Sequence, residues 1–303
     1  MMSFTRRQLF VGGLTVAAAA ACTRQPTVTD PAEPLPPLAE RFDALEKRHN
    51  AFAGVFAQSL DSDLFVARRA DDPFAMCSTF KAYAAARVLQ MSTSGELKLT
   101  DPVTIEAADI LPNSPLTETR VGQPMTIGEL CAAALQRSDN AAANYLLRAI
   151  GGPSAVTDFA RSIGDDRTRL DRWEIELNSA VPGDPRDTST PRALGTGYRK
   201  LLTGDALGEA ERQQLEDWMR GTQTSSMREG LLPRWTSADK TGSGDYGSTN
   251  DVGIVYGPAE QRMMLAFMTR SRSDDPKAQN LRPLIAELTT LVLPYLTPEQ
   301  PPR

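Results

Sequence analysis

The stretch Ser78-Thr79-Phe80-Lys81-Ala82-Tyr83-Ala84-Ala85-Ala86-Arg87-Val88-Leu89 is where the chain turns from strand-like to helical text. Alanine, leucine, lysine and arginine are strong helix formers, so a helix is expected from Ser78 onward. Upstream, Ala51 to Leu60 is apolar around Val55 and Phe56 and reads as a strand, with Leu64 to Ala67 as its hairpin partner. Downstream, Thr126 to Gln136 opens with a threonine followed three residues later by Glu129, the pattern of a capping box. Asn140 to Ile150 is a third helix. It stops at Gly151-Gly152, and Pro153 opens the next. Thr168 to Pro191 is polar and proline-punctuated without a sustained period, and a loop of that length inside a compact domain is usually functional. After a helix near Glu209 to Met219, strands return at Ala238 to Ser243, Val252 to Tyr256 and Met263 to Thr269, and a last helix runs from about Ala278 to Leu293. Strands at both ends and helices between them predict an α+β fold. Its antiparallel five-stranded sheet would come from both chain ends, flanked by helices, with an inserted all-helical lobe (about 76–217) and a cleft between the lobes.

The ends are a different kind of text. Arg6-Arg7 precede an apolar, alanine-rich run from Val11 to Ala21 and then Cys22, which together read as an export signal over 1–22. The paired arginines suggest a twin-arginine leader, with an ordinary secretory signal as the alternative. The run is short for a bilayer span, so no transmembrane span is expected in the mature protein. Cys22 is a candidate lipid-anchor site, although Ala19 stands where a larger aliphatic residue is usual. Residues 23–37 carry five prolines and few large apolar side chains, as an extended tether would. The folded body is then 38–297, with a short tail at 298–303.

Composition excludes several chemistries. A net charge of -5, without a run of lysines or arginines, argues against a nucleic-acid partner. The body holds only Cys77 and Cys131, read as buried free thiols, and one histidine, His49. A Ser-His-Asp triad would need His49 as its base, and a zinc hydrolase needs several histidines or cysteines. Neither a metal nor a cofactor is implied.

A nucleophile without histidine needs another activator. In Ser78-x-x-Lys81 the spacing i, i+3 puts both side chains on one helix face. A lysine can then activate the serine, whose own N–H at the helix start is available to an oxyanion. The motif alone is weak, because Ser237-Ala238-Asp239-Lys240 matches it within a predicted strand. Its company carries the argument. Ser138-Asp139-Asn140 and Lys240-Thr241-Gly242-Ser243 follow in order, and the ordered set is a known signature of two penicillin-recognising families.

With these motifs the chain resembles the class A serine β-lactamases from about Ala51 to Leu293. The resemblance includes Arg172-Trp173-Glu174 with Leu177-Asn178 on the long loop. It implies Ser78 as nucleophile, with its N–H and that of Ser243 as oxyanion hole. Lys81 and Glu174 share its activation, and Glu174 with Asn178 holds the water that cleaves the acyl ester. Ser138 relays a proton to the leaving nitrogen, Lys240 and Thr241 bind the substrate carboxylate beside Gly242, and Asn140 holds the substrate's side-chain amide. Asp139, Arg172, Asp187 and Cys77 are implied to be structural, Arg172 and Asp187 closing the neck of the loop. A small-molecule β-lactam is the implied partner; the leader points to the periplasm or cell envelope, and a monomer is expected.

The sequence departs from the family at three places. Thr249 stands where many members carry an arginine, and Arg282 aligns with an alternative arginine for the carboxylate. Asn113 occupies what is often an aromatic wall. Ile175 follows Glu174 where proline is frequent, and the Glu174–Ile175 bond is still expected to be cis. Two other readings share the motifs, a penicillin-binding D,D-peptidase and a non-catalytic β-lactam sensor. Glu174 disfavours the first, and the lack of a visible membrane segment disfavours the second.

Overall fold

A computed structural model describes residues 36–297. The expected leader, the candidate anchor Cys22, nearly all of the tether and the tail lie outside the described residues. The chain begins with α1 (Leu38–Arg48), β1 (Ala51–Ser59), β2 (Phe65–Arg68) and the short β3 (Phe74–Ala75). A 3-10 turn over Cys77–Phe80 runs directly into α2 (Lys81–Ser94). Next come β4 (Pro102–Thr104), β5 (Pro124–Thr126), α3 (Ile127–Gln136), α4 (Asn140–Ile150), α5 (Pro153–Ser162), β6 (Thr188–Ser189), α6 (Pro191–Thr203) and α7 (Glu209–Arg220). Three long strands, β7 (Thr236–Ser243), β8 (Thr249–Tyr256) and β9 (Arg262–Ser271), lead to α8 (Arg282–Leu296).

The main sheet has five strands in the order β2-β1-β9-β8-β7, all antiparallel, so the two chain ends meet at the β1–β9 pairing. The α+β arrangement expected from the sequence is the one found. Alternation along the strands splits the core in two. One side of the sheet packs Ala53, Val55, Leu265 and Phe267 against Phe42 of α1 and Leu284, Leu288 and Val292 of α8. The other packs Phe56, Ile254, Met264 and Ala266 into a larger cluster with the helices α2 to α7.

Two helices went unread in the sequence. In α1 the apolar positions Leu38, Phe42 and Leu45 keep helical spacing, but the helix is short and highly charged. In α6, Gly195 and Gly197 obscure the helical text. Close packing explains both: a Cβ on Gly195 would lie 2.6 Å from Met264 Sδ, and one on Gly197 would lie 1.6 Å from Tyr83 Oη. The long loop also holds a 3-10 turn over Glu176–Ser179 and the β6 pairing with β3. Among the described residues no helix is long and apolar enough to cross a membrane.

Candidate active site

The site forms where the start of α2, the start of α4, the edge strand β7 and the long loop meet. Ser78 lies in the 3-10 turn rather than in regular α-helix, and Cys77 before it has φ of 47°. That left-handed backbone is disfavoured for a side chain with a Cβ, and such strain collects at working sites. Several contacts hold it. Asn250 Nδ2 of β8 donates to the carbonyls of Ala75 (2.8 Å) and Met76 (2.9 Å), and the Met76 N–H donates to Asp187 O (2.8 Å). Gly242 lets β7 come close, since a Cβ there would sit 2.6 Å from Met76 O and 3.2 Å from Ser78 N. Cys77 is buried and free, and burial pushes its thiol pKa up.

The Ser78 hydroxyl donates to Glu174 Oε1 at 3.2 Å, and Lys81 Nζ stands 2.9 Å from the same oxygen. Lys81 and Glu174 are both wholly buried, so their opposite charges compensate each other where water does not. Lys81 Nζ also donates to Asn140 Oδ1 (2.7 Å) and to Ser138 O (3.0 Å), with Ser138 Oγ at 3.5 Å. The serine–lysine contact expected from the i, i+3 spacing is therefore indirect: both groups converge on Glu174.

Ser138, with φ of 55°, presents its hydroxyl between the two lysines. It accepts from Lys240 Nζ at 3.0 Å, and Lys240 also donates to Thr241 O at 2.8 Å. Burial and the neighbouring Lys81 charge push the Lys240 pKa down to about 7, against the pull of Asp251, Glu174 and Asp239. Asp139 caps α4 through Ala142 N–H and ties down Leu116 and Thr117, which is a structural duty. Asn140 already spends its amide locally, donating from Nδ2 to Pro112 O (2.8 Å) while its Oδ1 serves Lys81.

Glu174 is fixed from both ends. Asn178 Nδ2 donates to its Oε2 at 2.5 Å, one turn further along the loop. Asn144, four residues after Asn140 and so on the same face of α4, accepts from Glu174 N (3.0 Å) and donates to Glu174 O (2.9 Å). The Glu174–Ile175 peptide is cis, as expected. At the loop's neck, Arg172 Nε donates to Asp187 Oδ2 at 2.5 Å, while Asp187 Oδ1 accepts from the N–H groups of Asp171 and Arg172.

Arg282 opens α8 and lines the cleft, its Nη2 held by the carbonyls of Thr224 (3.1 Å) and Ser225 (3.2 Å). Thr249 is buried and accepts from Leu281 N at 2.8 Å, so it steadies the residue before Arg282 instead of facing substrate. Thr224, unread in the sequence, shares a 2.7 Å hydroxyl contact with Thr241. Asn113 lines the cleft and donates to Ser138 O at 3.0 Å. The cavity between these groups measures about 300 Å³ and includes Ser78, Ser138, Asn140, Thr241 and Ser243 in its lining. A larger cavity, about 520 Å³, lies beside Arg192 and Lys200, away from Ser78. The second Ser-x-x-Lys is inert by geometry: in β7, Ser237 and Lys240 project to opposite faces, and Ser237 Oγ donates to Asp239. His49 pairs with Glu287 of α8 and is absent from the cleft lining.

A serine, two buried lysines and a glutamate clamped on a loop form the arrangement that the motifs anticipated. In comparison with known proteins, the family described as the Beta-lactamase enzyme family matches residues 37–296. The chain belongs to the class A serine β-lactamase family. The β-lactamase CTX-M-8 of Citrobacter amalonaticus is 44% identical over 255 residues, spanning 84% of this chain and 87% of its own. The β-lactamase AST-1 of Nocardia asteroides is 41% identical over 299 residues, 96% of each. Among solved structures, a β-lactamase from Desulfarculus baarsii superposes with a TM-score of 0.83 at 39% identity, covering 86% of this chain and 98% of that one. A variant of the last common ancestor of Gram-negative class A β-lactamases gives 0.81 at 45% identity, covering 85% and 97%. Within this β-lactamase, Asn144, Asn250 and Thr224 are residues at the site to which the sequence assigned no role. Asn144 was accessible from its spacing to Asn140, while the other two are legible only from the packed strands.

Proposed function

We propose that this β-lactamase hydrolyses penicillins and cephalosporins through an acyl-enzyme on Ser78. The observation that carries the proposal is the Ser78–Glu174 hydrogen bond with Lys81 on the same carboxylate oxygen. Ser78 Oγ attacks the lactam carbonyl, its proton passing to the Glu174–Lys81 pair. The developing oxyanion is held by the N–H groups of Ser78 and Ser243, a role that suits the edge position of β7 and its close approach at Gly242. The lactam C–N bond then breaks, and the leaving nitrogen takes a proton from Ser138 Oγ, which is resupplied through Lys81 or Lys240. Water attacks the ester carbonyl as Glu174 accepts its proton, and when the ester C–O bond breaks Glu174 returns that proton to Ser78 Oγ, restoring both groups.

Lys240, Thr241 and Arg282 bind the substrate carboxylate. Asn140 positions Lys81 as well as offering a contact to the substrate's side-chain amide. The leader-like first 22 residues support export to the periplasm or cell envelope, with Cys22 as the lipid-attachment site and a monomer as the working form. Mixing the purified protein with a chromogenic cephalosporin tests the function. Sustained turnover supports it, whereas a single stoichiometric burst would favour a penicillin-binding peptidase or a sensor.

A further inference from the structure

We propose that Arg137 is a specificity-determining residue that selects β-lactams bearing a second anionic group on the ring fused to the lactam nitrogen. The inference rests on the hydrolase reading above. Although the chain carries a net charge of -5, the residues lining the cleft include two arginines, Arg137 and Arg282, and no aspartate or glutamate. One of the two is already committed. Arg282 lies with Thr224 and Thr241 at the carboxylate end, held by backbone carbonyls, and these groups with Lys240 suffice for a single substrate carboxylate.

Arg137 is left over. It follows the last residue of α3 and is half-buried, and among the described residues its guanidinium makes no hydrogen bond and no ion pair. A positive charge at a helix C-terminus is favourable in itself, so the location alone proves nothing. What points to a ligand is its place in the lining of the substrate cavity without a counter-ion. It directly precedes Ser138, the group assigned to the leaving nitrogen, and Asn113 of the same wall grips the Ser138 carbonyl. A small polar Asn113 also leaves the guanidinium uncovered by any aromatic side chain at that position. A planar fork of donors in a partly desolvated cleft is suited to a carboxylate carried by the substrate's fused ring.

The test uses two cephalosporins with one acylamino side chain, whose C3 arylthiomethyl group carries either a carboxylate or a carboxamide. Wild-type kcat/KM is expected to favour the carboxylate form. Arg137→Gln should lower kcat/KM for that form by about five- to tenfold, chiefly through KM, and change the carboxamide form less than about twofold. Arg137→Glu should enlarge the difference, and added salt should shrink the wild-type preference. Equal losses on both substrates would assign Arg137 a structural role and overturn the proposal. Failure of the wild type to turn over even the carboxamide form would instead strike the hydrolase reading.

Discussion

Asn144 of α4 holds Glu174 by both its backbone N–H (3.0 Å) and its carbonyl (2.9 Å), so the proposed base is anchored to a helix although it lies on a loop. Removing that clamp should loosen the base while leaving the nucleophile in place. Asn144→Ala is expected to slow deacylation by about 10- to 100-fold, since two hydrogen bonds worth about 1 kcal/mol each are lost. Acylation should suffer less, so the acyl-enzyme should accumulate at steady state in stopped-flow and quenched mass measurements.

The neck of the loop makes a second prediction. Arg172→Ala leaves the wholly buried Asp187 without its cationic partner. Breaking a buried pair from one side costs about 3 kcal/mol or more, which should appear as a lower urea midpoint with an unchanged slope. The loop carrying Glu174 should loosen with it, so deacylation should fall together with stability. Full stability in the variant would show that the neck is held by the backbone bonds to Asp187 alone.

The depressed pKa of Lys240 sets a pH dependence. With its pKa near 7 in the free enzyme, Lys240 is charged below that value and neutral above it. Carboxylate binding needs the charge, so kcat/KM should fall as pH rises through about 7, because that ratio reports free-enzyme groups. Lys240→Arg keeps its charge throughout and should move this limb to higher pH. Identical alkaline limbs in the two proteins would remove Lys240 from the profile. The sign for folding is opposite: between about 7 and 10.5 the unfolded chain binds more protons at this lysine, so its contribution to stability rises with pH.

Arg282 tests the carboxylate grip. Arg282→Ala should raise KM by about tenfold with kcat nearly unchanged, the mark of binding shared by ground and transition states. A matched fall in kcat would instead mean that the Thr224–Ser225 loop, which Arg282 holds, had moved.

Much of this was legible in the sequence, for physical reasons that also explain the omissions. Glycine stops, the capping box at Thr126 and the strand runs are local signals, and they located α3, α4 and the long strands to within a few residues. Ser78, Ser138, Glu174 and Lys240 were legible because their chemistry is tied to short ordered motifs. The α6 helix was hidden because its glycines answer to Met264 and Tyr83, distant in sequence. Asn250 and Thr224 act through hydrogen bonds across strands and loops, which no local pattern encodes. The spacing of Ser78 and Lys81 placed them on one side but could not show that they meet through Glu174.

The central claim, acylation at Ser78 and release by Glu174, is tested most directly in Glu174→Gln exposed to a penicillin and followed by intact mass. The expected result is a stoichiometric adduct that maps to Ser78 and persists, while the wild type returns to its free mass as product accumulates. Undiminished turnover in Glu174→Gln, or an adduct on any residue other than Ser78, would contradict the mechanism.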